Sequence, residues 1–360
     1  MEKKRLQSLD FLRAIAIVLV LFRHKYLFDF TIKLGWIGVD LFFVLSGFLV
    51  SGLLFREYNK QGDFNVKLFL IRRGFKIYPI YYLSFLLYIP YIYANGKFDF
   101  TAILRDLFFV QNYTNNWGYV YAASWSLAVE EHFYFGLCFL FVTIVKFFPY
   151  ILLPIKNKLN VFEKGILSIL LLCFILRVCF NYFYPEFFVK GFTMSHLRMD
   201  TLFFGVLISY WYYYKRDLLR SWFFNYKKIL AFIAFGLLAF TPFIEPTTSV
   251  FVKTIGFTLL YISFGIILLF ALLDVSLFEK IAKFIGVPLM NFICKVGFSS
   301  YSIYVIHTLI IFFVEKMMID NKYIGFTLVL IFSILAGLVL TKTVERYFLK
   351  LRDKLYKSRY

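Results

Sequence analysis

Little in this sequence suits a disulfide scaffold, a metal site or a water-soluble surface. The 360 residues include only four cysteines, Cys138, Cys173, Cys179 and Cys294. All lie in or beside apolar runs, without metal-ligand spacing, so they read as packing residues and imply neither a disulfide framework nor a metal. Linkers, low-complexity tracts and internal repeats are missing, so a single domain over residues 1–360 is expected. No small-residue cleavage site follows the first apolar run, Leu9–Phe30, and that run carries Arg13, Arg23 and His24. It does not read as a cleaved secretory signal. Acidic residues are scarce: 21 Asp and Glu stand against 40 Lys and Arg, a net charge of +19. Such an excess suits nucleic acid, but here it is dispersed in short clusters between apolar runs. That pattern excludes a nucleic-acid partner and points to the control of membrane topology.

What is abundant is apolar. Hydrophobic residues make up 61% of the chain, with 50 Phe and 27 Tyr, more than a soluble surface carries without large apolar patches. Apolar runs fall at 9–30, 36–55, 74–94, 120–147, 161–182, 199–214, 228–244, 250–272, 296–315 and 323–345. The expectation is an all-α polytopic membrane protein, a bundle of about ten spans with both termini inside and a cytoplasmic tail from about residue 346. Residues 99–112 are amphipathic and read as an interfacial helix. The charges agree with this count. Lys3, Lys4 and Arg5, the clusters Arg56–Lys76, Lys146–Lys164, Lys215–Lys228 and Lys280–Lys295, and the tail from Lys342 place 28 of the 40 basic residues inside, with eight in outer loops.

Charged side chains within spans are expensive, at least ~2.5 kcal/mol each, and usually face the interior and carry function. Arg13 and His24 in span 1 share a face about 16 Å apart, Arg13 toward the inside and His24 in the outer half. Arg13 has the alternative of snorkelling, and His24 of capping the helix end. Asp40 opens span 2 from outside, where the helix dipole also favours it; Gly35, Gly38 and Gly47 permit close helix approach. Span 4 begins SWSLAVEEHFYF, where Ser126, Glu130 and Tyr134 share a stripe after Trp125 and only one of Glu130 and Glu131 faces a site. Arg72, Arg73 and Lys76, before span 3, are either ordinary inner charge or an anion cradle. Arg198 and Asp200 open span 6, and in span 9 Ser300, Tyr304 and His307 share a stripe. His24, Asp40, Trp125 and Glu130 are thus expected in the outer half, and Arg13, Arg72 and Arg73 in the inner half. That distribution suits an anionic donor held from inside and an acceptor met from outside, with histidine as general base near neutral pH and a carboxylate to orient it.

These segments resemble the acyltransferase-3 family of membrane acyltransferases, which includes bacterial O-antigen and exopolysaccharide O-acetylases. The matching pieces are Arg13-x10-His24, GVDLFFVLSGFL at 38–49, RRGFKIYPIYY at 72–82, WSLAVEEHFYF at 125–135, RMDTLFFG at 198–205 and YSIYVIH at 301–307. They span essentially the whole chain. The resemblance implies transfer of an acyl group, usually acetyl, from acyl-coenzyme A to a hydroxyl of an extracytoplasmic glycan. Arg13 and His24 fall on the family's arginine–histidine pattern, Glu130 on its outer-half Glu, and Arg72 and Arg73 on its basic pair. Departures are Arg23 before His24, Lys76 where Arg is more common, and the lack of proline after Glu345. No hydrolase-like domain follows the last span, so the membrane module alone is expected.

The expected activity is therefore acyl-CoA-dependent O-acyl transfer in the inner membrane of a bacterium. Acyl-CoA is a co-substrate, and no cofactor is permanently bound. His24, Glu130 and Asp40 form the expected catalytic group, and Arg13, Arg72, Arg73 and Lys76 the donor group. Trp125, Ser126, Arg198, Asp200, Tyr304 and His307 are expected in support, with His132 and His307 as alternative bases. The rival is a proton-coupled transporter or flippase, which also buries His, Glu and Asp but is built on matched repeats with broken helices. A non-enzymatic scaffold has no need of interior charges.

Overall fold

A computed structural model describes residues 7–94, 96–114, 116–147, 151–155 and 158–357. Lys3, Lys4, Arg5 and Lys156, assigned above to the inner side, lie outside the described residues. Among the described residues the regular structure is entirely helical. The helices are α1 Gln7–His24, α2 Asp29–Leu34, α3 Gly38–Gln61, α4 Val66–Ala94, α5 Phe100–Leu107, α6 Gln111–Thr114, α7 Ser124–Phe147, α8 Val161–Phe183, α9 Lys190–Thr193, α10 Met199–Tyr214, α11 Arg216–Leu238, α12 Phe257–Leu273, α13 Val275–Ile285, α14 Val287–Phe298, α15 Ser300–Lys316, α16 Lys322–Leu340 and α17 Arg346–Leu355.

Each of the ten apolar runs contains a helix, and the amphipathic stretch folds as α5, capped by Asp99, which accepts from the Ala102 amide at 3.1 Å. Among the described residues five helices are long and apolar enough to cross a membrane: Asp29–Gln61, Ser124–Thr143, Val161–Phe183, Val252–Leu273 and Lys322–Leu355. A sixth is reached if α13 and α14, bent by 114°, form one broken span. The chain is thus a multi-pass membrane protein. The remaining runs miss these criteria for identifiable reasons. Helices α1 and α11 carry several charges, and α4 carries its charges in its first turns and is diluted by Tyr and Pro in the rest, whereas α10 and α15 have 16 and 17 residues, about 24–26 Å of rise against a hydrocarbon core of about 30 Å.

The α13–α14 bend occupies the segment read above as a run of inner charge. Gly286 supplies it with φ of +89°, a conformation glycine adopts without steric cost. Pro288 follows in the first turn of α14, where a missing N–H costs nothing. At the mouth of α13, Asp274 caps the Leu277 amide. Burial raises the Asp274 carboxyl, but the Lys227 ammonium, the Ser276 hydroxyl and that amide together hold it below the usual range.

By packing, the chain divides into two compact units. The first comprises Met1–Leu45, Arg220–Glu245 and Leu259–Lys342. In it α1 lies against α14 and α15, and α15 against α16. At the foot of α3 a β-carbon on Gly38 would overlap the Ala16 carbonyl of α1, so only glycine permits this approach. The indole N–H of Trp36 donates to the Thr241 carbonyl at 3.2 Å.

The second unit comprises Ser46–Leu219, Pro246–Thr258 and Thr343–Tyr360. Here α8 packs on α10, and α4 on α17. Helix α8 shows how a membrane helix is apolar all round yet still directional. Leu171, Leu172, Ile175 and Val178 are exposed, forming a lipid-facing surface. Phe162, Glu163, Ile166, Leu170, Cys173, Arg177 and Asn181 are buried at helical spacing. The polar members of that inner face sit at its two ends. Glu163 accepts from Lys215 Nζ and Trp211 Nε1 at 2.7 and 2.8 Å, while Arg177 meets Asp200 in a fully buried ion pair. Where α3 crosses α10, a β-carbon on Gly47 would collide with the Leu202 carbonyl.

Candidate active site

In the first unit the candidate site is built at the end of α1. The helix stops at His24, so a run read as continuous to residue 30 breaks there and restarts as α2. His24 Nδ1 lies 2.8 Å from the Val20 carbonyl one turn below. A carbonyl only accepts, so Nδ1 carries the proton and the neutral ring presents its lone pair at Nε2. His307, fully buried on α15, repeats the arrangement, with Nδ1 2.6 Å from the Tyr304 carbonyl. Its Nε2 is buried without a hydrogen-bond partner among the described residues. The two imidazoles meet edge to face with centroids 4.8 Å apart. The Tyr304 ring packs 5.5 Å from that of His307 and 6.3 Å from that of Phe42.

Charges around this end are paired. Arg23 binds Glu245 through both terminal nitrogens, at 3.1 and 2.7 Å, and Lys25 pairs with Glu315 at 3.1 Å. The guanidinium next to His24 is therefore neutralised by an acid distant in sequence. Asp40 is completely buried in the first turn of α3. Arg13, partly exposed, pairs with Asp10 at 3.3 Å on its own helix.

In the second unit the other expected residues form two groups. In one, the Tyr134 hydroxyl donates to Glu130 Oε2 at 2.6 Å. Ser46 Oγ, 2.9 Å from that hydroxyl, is then the donor to it. Arg73 lies over the Tyr134 ring at 5.3 Å and the Phe69 ring at 5.8 Å, and its buried Nε has no hydrogen-bond partner. Glu131 faces elsewhere and accepts from the Tyr78 hydroxyl at 3.0 Å, as the turn of about 100° between neighbours on a helix requires.

Arg72 and Lys76 turn from this group toward the C-terminal helix. Arg72 pairs with Asp353 at 3.0 Å and donates to the Tyr356 carbonyl, and Lys76 pairs with the fully buried carboxylate of Glu345. Sequence gave no sign of these contacts, which join residues nearly three hundred positions apart.

The second group is aromatic. Arg198, fully buried, lies 3.5 Å from the Phe257 ring, 5.0 Å from Phe192 and 5.7 Å from Trp125. Asp200 is occupied by Arg177, which also donates to the Leu197 carbonyl at 3.2 Å and to Thr258 Oγ1 at 3.0 Å. Ser126 bonds its own turn, donating to the Ala123 carbonyl at 3.2 Å. His132 Nδ1 is 2.6 Å from Ser195 Oγ, which accepts from Asn112 at 2.8 Å. His24, Asp40, Arg13, Tyr304 and His307 thus belong to the first unit, and Glu130, Trp125, Ser126, Arg72, Arg73, Lys76, Arg198 and Asp200 to the second.

Membrane-length helices around buried acids, imidazoles and guanidinium groups define a polytopic membrane protein with an ionisable interior, the arrangement of a membrane-embedded transferase or transporter. Comparison with known families decides the class: the chain belongs to the acyltransferase-3 family, whose acyltransferase-domain profile matches residues 6–342. A Staphylococcus aureus (strain COL) protein, provisionally named an O-acetyltransferase, is 27% identical over 365 aligned positions, covering 92% of this chain and 56% of that one. The O-acetyltransferase OatA of S. aureus (strain NCTC 8325) is 25% identical over 88% of this chain and 52% of its own. The peptidoglycan O-acetyltransferase OatA of Listeria monocytogenes is 32% identical over 155 positions, 37% of this chain and 24% of its own. The chain spans about half the length of the first of these relatives. No solved structure matches it.

Proposed function

We propose that this chain is a membrane O-acetyltransferase that carries an acetyl group from cytoplasmic acetyl-CoA to a hydroxyl of an extracytoplasmic glycan. In this reading ten spans cross the bacterial inner membrane with both termini on the cytoplasmic side. The observation that carries the chemistry is the tautomer of His24. Its Nδ1 is committed to the Val20 carbonyl, so Nε2, on an exposed residue at the end of α1, is the basic atom. It takes the proton of the acceptor hydroxyl as the oxygen attacks the thioester carbonyl. The carbon–sulfur bond breaks, and the imidazolium returns its proton to the departing thiolate. His307 packs against His24 and holds its ring.

Donor phosphates are anions, and Arg73 is a guanidinium that forms cation–π contacts, with its Nε lacking a hydrogen-bond partner among the described residues. It is the leading donor ligand in the second unit. Glu130, through Tyr134, fixes the ring against which Arg73 rests. Arg72 and Lys76 keep α17 in place beside them. Names of the relatives as O-acetyltransferases, one of them of peptidoglycan, support acetyl as the acyl group and a glycan as the acceptor. The test is labelling of surface glycan in membranes from [14C]acetyl-CoA. Parental membranes transfer label and His24→Ala membranes with equal protein do not. Transport of a glycan without any acyl donor would overturn the reading.

A further inference from the structure

Lys253 has no place in the chemistry above, yet it is among the most deeply buried side chains, with 1% of its surface exposed. It lies in a π-type turn, Val252–Gly256, at the head of α12, and such turns concentrate at functional sites. Its ammonium rests 5.3 Å from the Phe188 ring centroid and forms neither an ion pair nor a hydrogen bond among the described residues. A buried ammonium without a countercharge costs several kcal/mol, of which the Phe188 ring offsets only a part. Asp200 is held by Arg177, and Glu186, on the preceding loop, is exposed.

The surroundings suit a sugar. Asn181 spends its amide N–H on the Arg177 carbonyl at 2.8 Å, which leaves its Oδ1 to accept. That oxygen and Lys253 Cδ each lie 3.4 Å from where a Gly191 β-carbon would stand, an ordinary contact distance, so glycine leaves room for about one carbon between them. Phe188, half exposed, offers a flat apolar face alongside. An amide acceptor, an aromatic face and an uncompensated cation are the three contacts that recognise a sugar hydroxyl, a sugar ring and an acidic substituent.

We propose that Lys253, with Asn181 and Phe188, forms an acceptor subsite for an acidic sugar, in which the ammonium binds the sugar's carboxylate. The identification of the ligand as acceptor rests on the O-acetyltransferase reading; its binding does not.

The test measures equilibrium binding of a disaccharide of N-acetylglucosamine and N-acetylmuramic acid, and of its uncharged methyl ester, to the purified full chain in phosphatidylcholine nanodiscs without acetyl-CoA. The parent binds the acid at least about tenfold more tightly than the ester, a difference of ~1.4 kcal/mol. Lys253→Met abolishes the preference while binding the ester as before, and Lys253→Arg restores it. Equal binding of acid and ester by the parent, or an equal loss for both probes in Lys253→Met, overturns the proposal. Loss of acid binding by the parent in phosphatidylglycerol nanodiscs assigns the position to a headgroup and overturns it too. Normal binding without acetyl transfer leaves the subsite standing and sinks the transferase reading instead.

Discussion

His24 and His307 meet edge to face, with ring centroids 4.8 Å apart, and each gives its Nδ1 proton to a carbonyl of its own helix. Two rings anchored in this way cannot flip without losing a hydrogen bond, so the exposed one is aimed by the buried one. His24→Gln keeps a polar side chain but removes the base, and is expected to lower acetyl transfer by at least ~100-fold. His307→Phe keeps a ring at the contact and is expected to lower it only about tenfold, because a misplaced base still reacts. Initial rates with membranes matched for protein check both. An unimpaired His24→Gln would remove this residue from the chemistry.

The paired arginines of α4 are expected to separate in function. Arg73→Ala loses the guanidinium whose Nε has no hydrogen-bond partner among the described residues, and coenzyme A binding should weaken by about tenfold or more, the worth of a charge-assisted contact. Arg72→Ala should bind coenzyme A nearly as the parent does. Its loss should instead show as earlier proteolysis within α17, whose Asp353 and Tyr356 it holds. Calorimetric titration and limited proteolysis read the two effects independently.

Lys76 and Glu345 are expected to be coupled. The carboxylate is fully buried and the lysine is 28% exposed, so Lys76→Met strands a buried charge at a cost of about 2 kcal/mol, less than for a fully enclosed pair. Adding Glu345→Gln removes the stranded charge, so the double variant should melt closer to the parent than Lys76→Met does. Thermal unfolding in detergent tests this. Simple additivity would mean that the pair carries no interaction energy.

The proposed topology is tested by labelling in a background with Cys138, Cys173, Cys179 and Cys294 replaced. A cysteine at Glu186 should react with an impermeant thiol reagent in intact cells. One at Glu279, in the segment assigned to the inside, should react only after lysis. The reverse pattern would invert the orientation and with it the sidedness of donor and acceptor.

That the chain is helical and crosses a membrane several times was legible in the sequence, because apolarity over about twenty residues is a strong signal. The local limits were not: α1 ends at His24, although apolar residues continue to Phe30. The fold between α13 and α14 depends on one positive φ at Gly286. In the candidate site, residue types were readable and partners were not. Span periodicity placed Glu130 and Tyr134 on one stripe, and their hydroxyl–carboxylate bond follows from that spacing. Periodicity is blind to contacts between distant segments, so it could not show that Arg23 would be matched by Glu245, Lys76 by Glu345 or Asp200 by Arg177. Lys253 is one of the eight basic residues that the charge pattern assigns to outer loops, yet it is buried in the turn that begins α12.

The crossing of α3 and α10 bears on how this gene can change. At Gly47 every alternative amino acid puts a carbon into the Leu202 carbonyl, so no codon change of residue is neutral there. The exposed positions of α8, by contrast, ask only for apolarity, and Leu, Ile, Val and Phe can exchange freely among them. In a saturation library grown under selection for the wild-type phenotype, position 47 should return glycine codons alone, while 171, 172, 175 and 178 drift together through the aliphatic set.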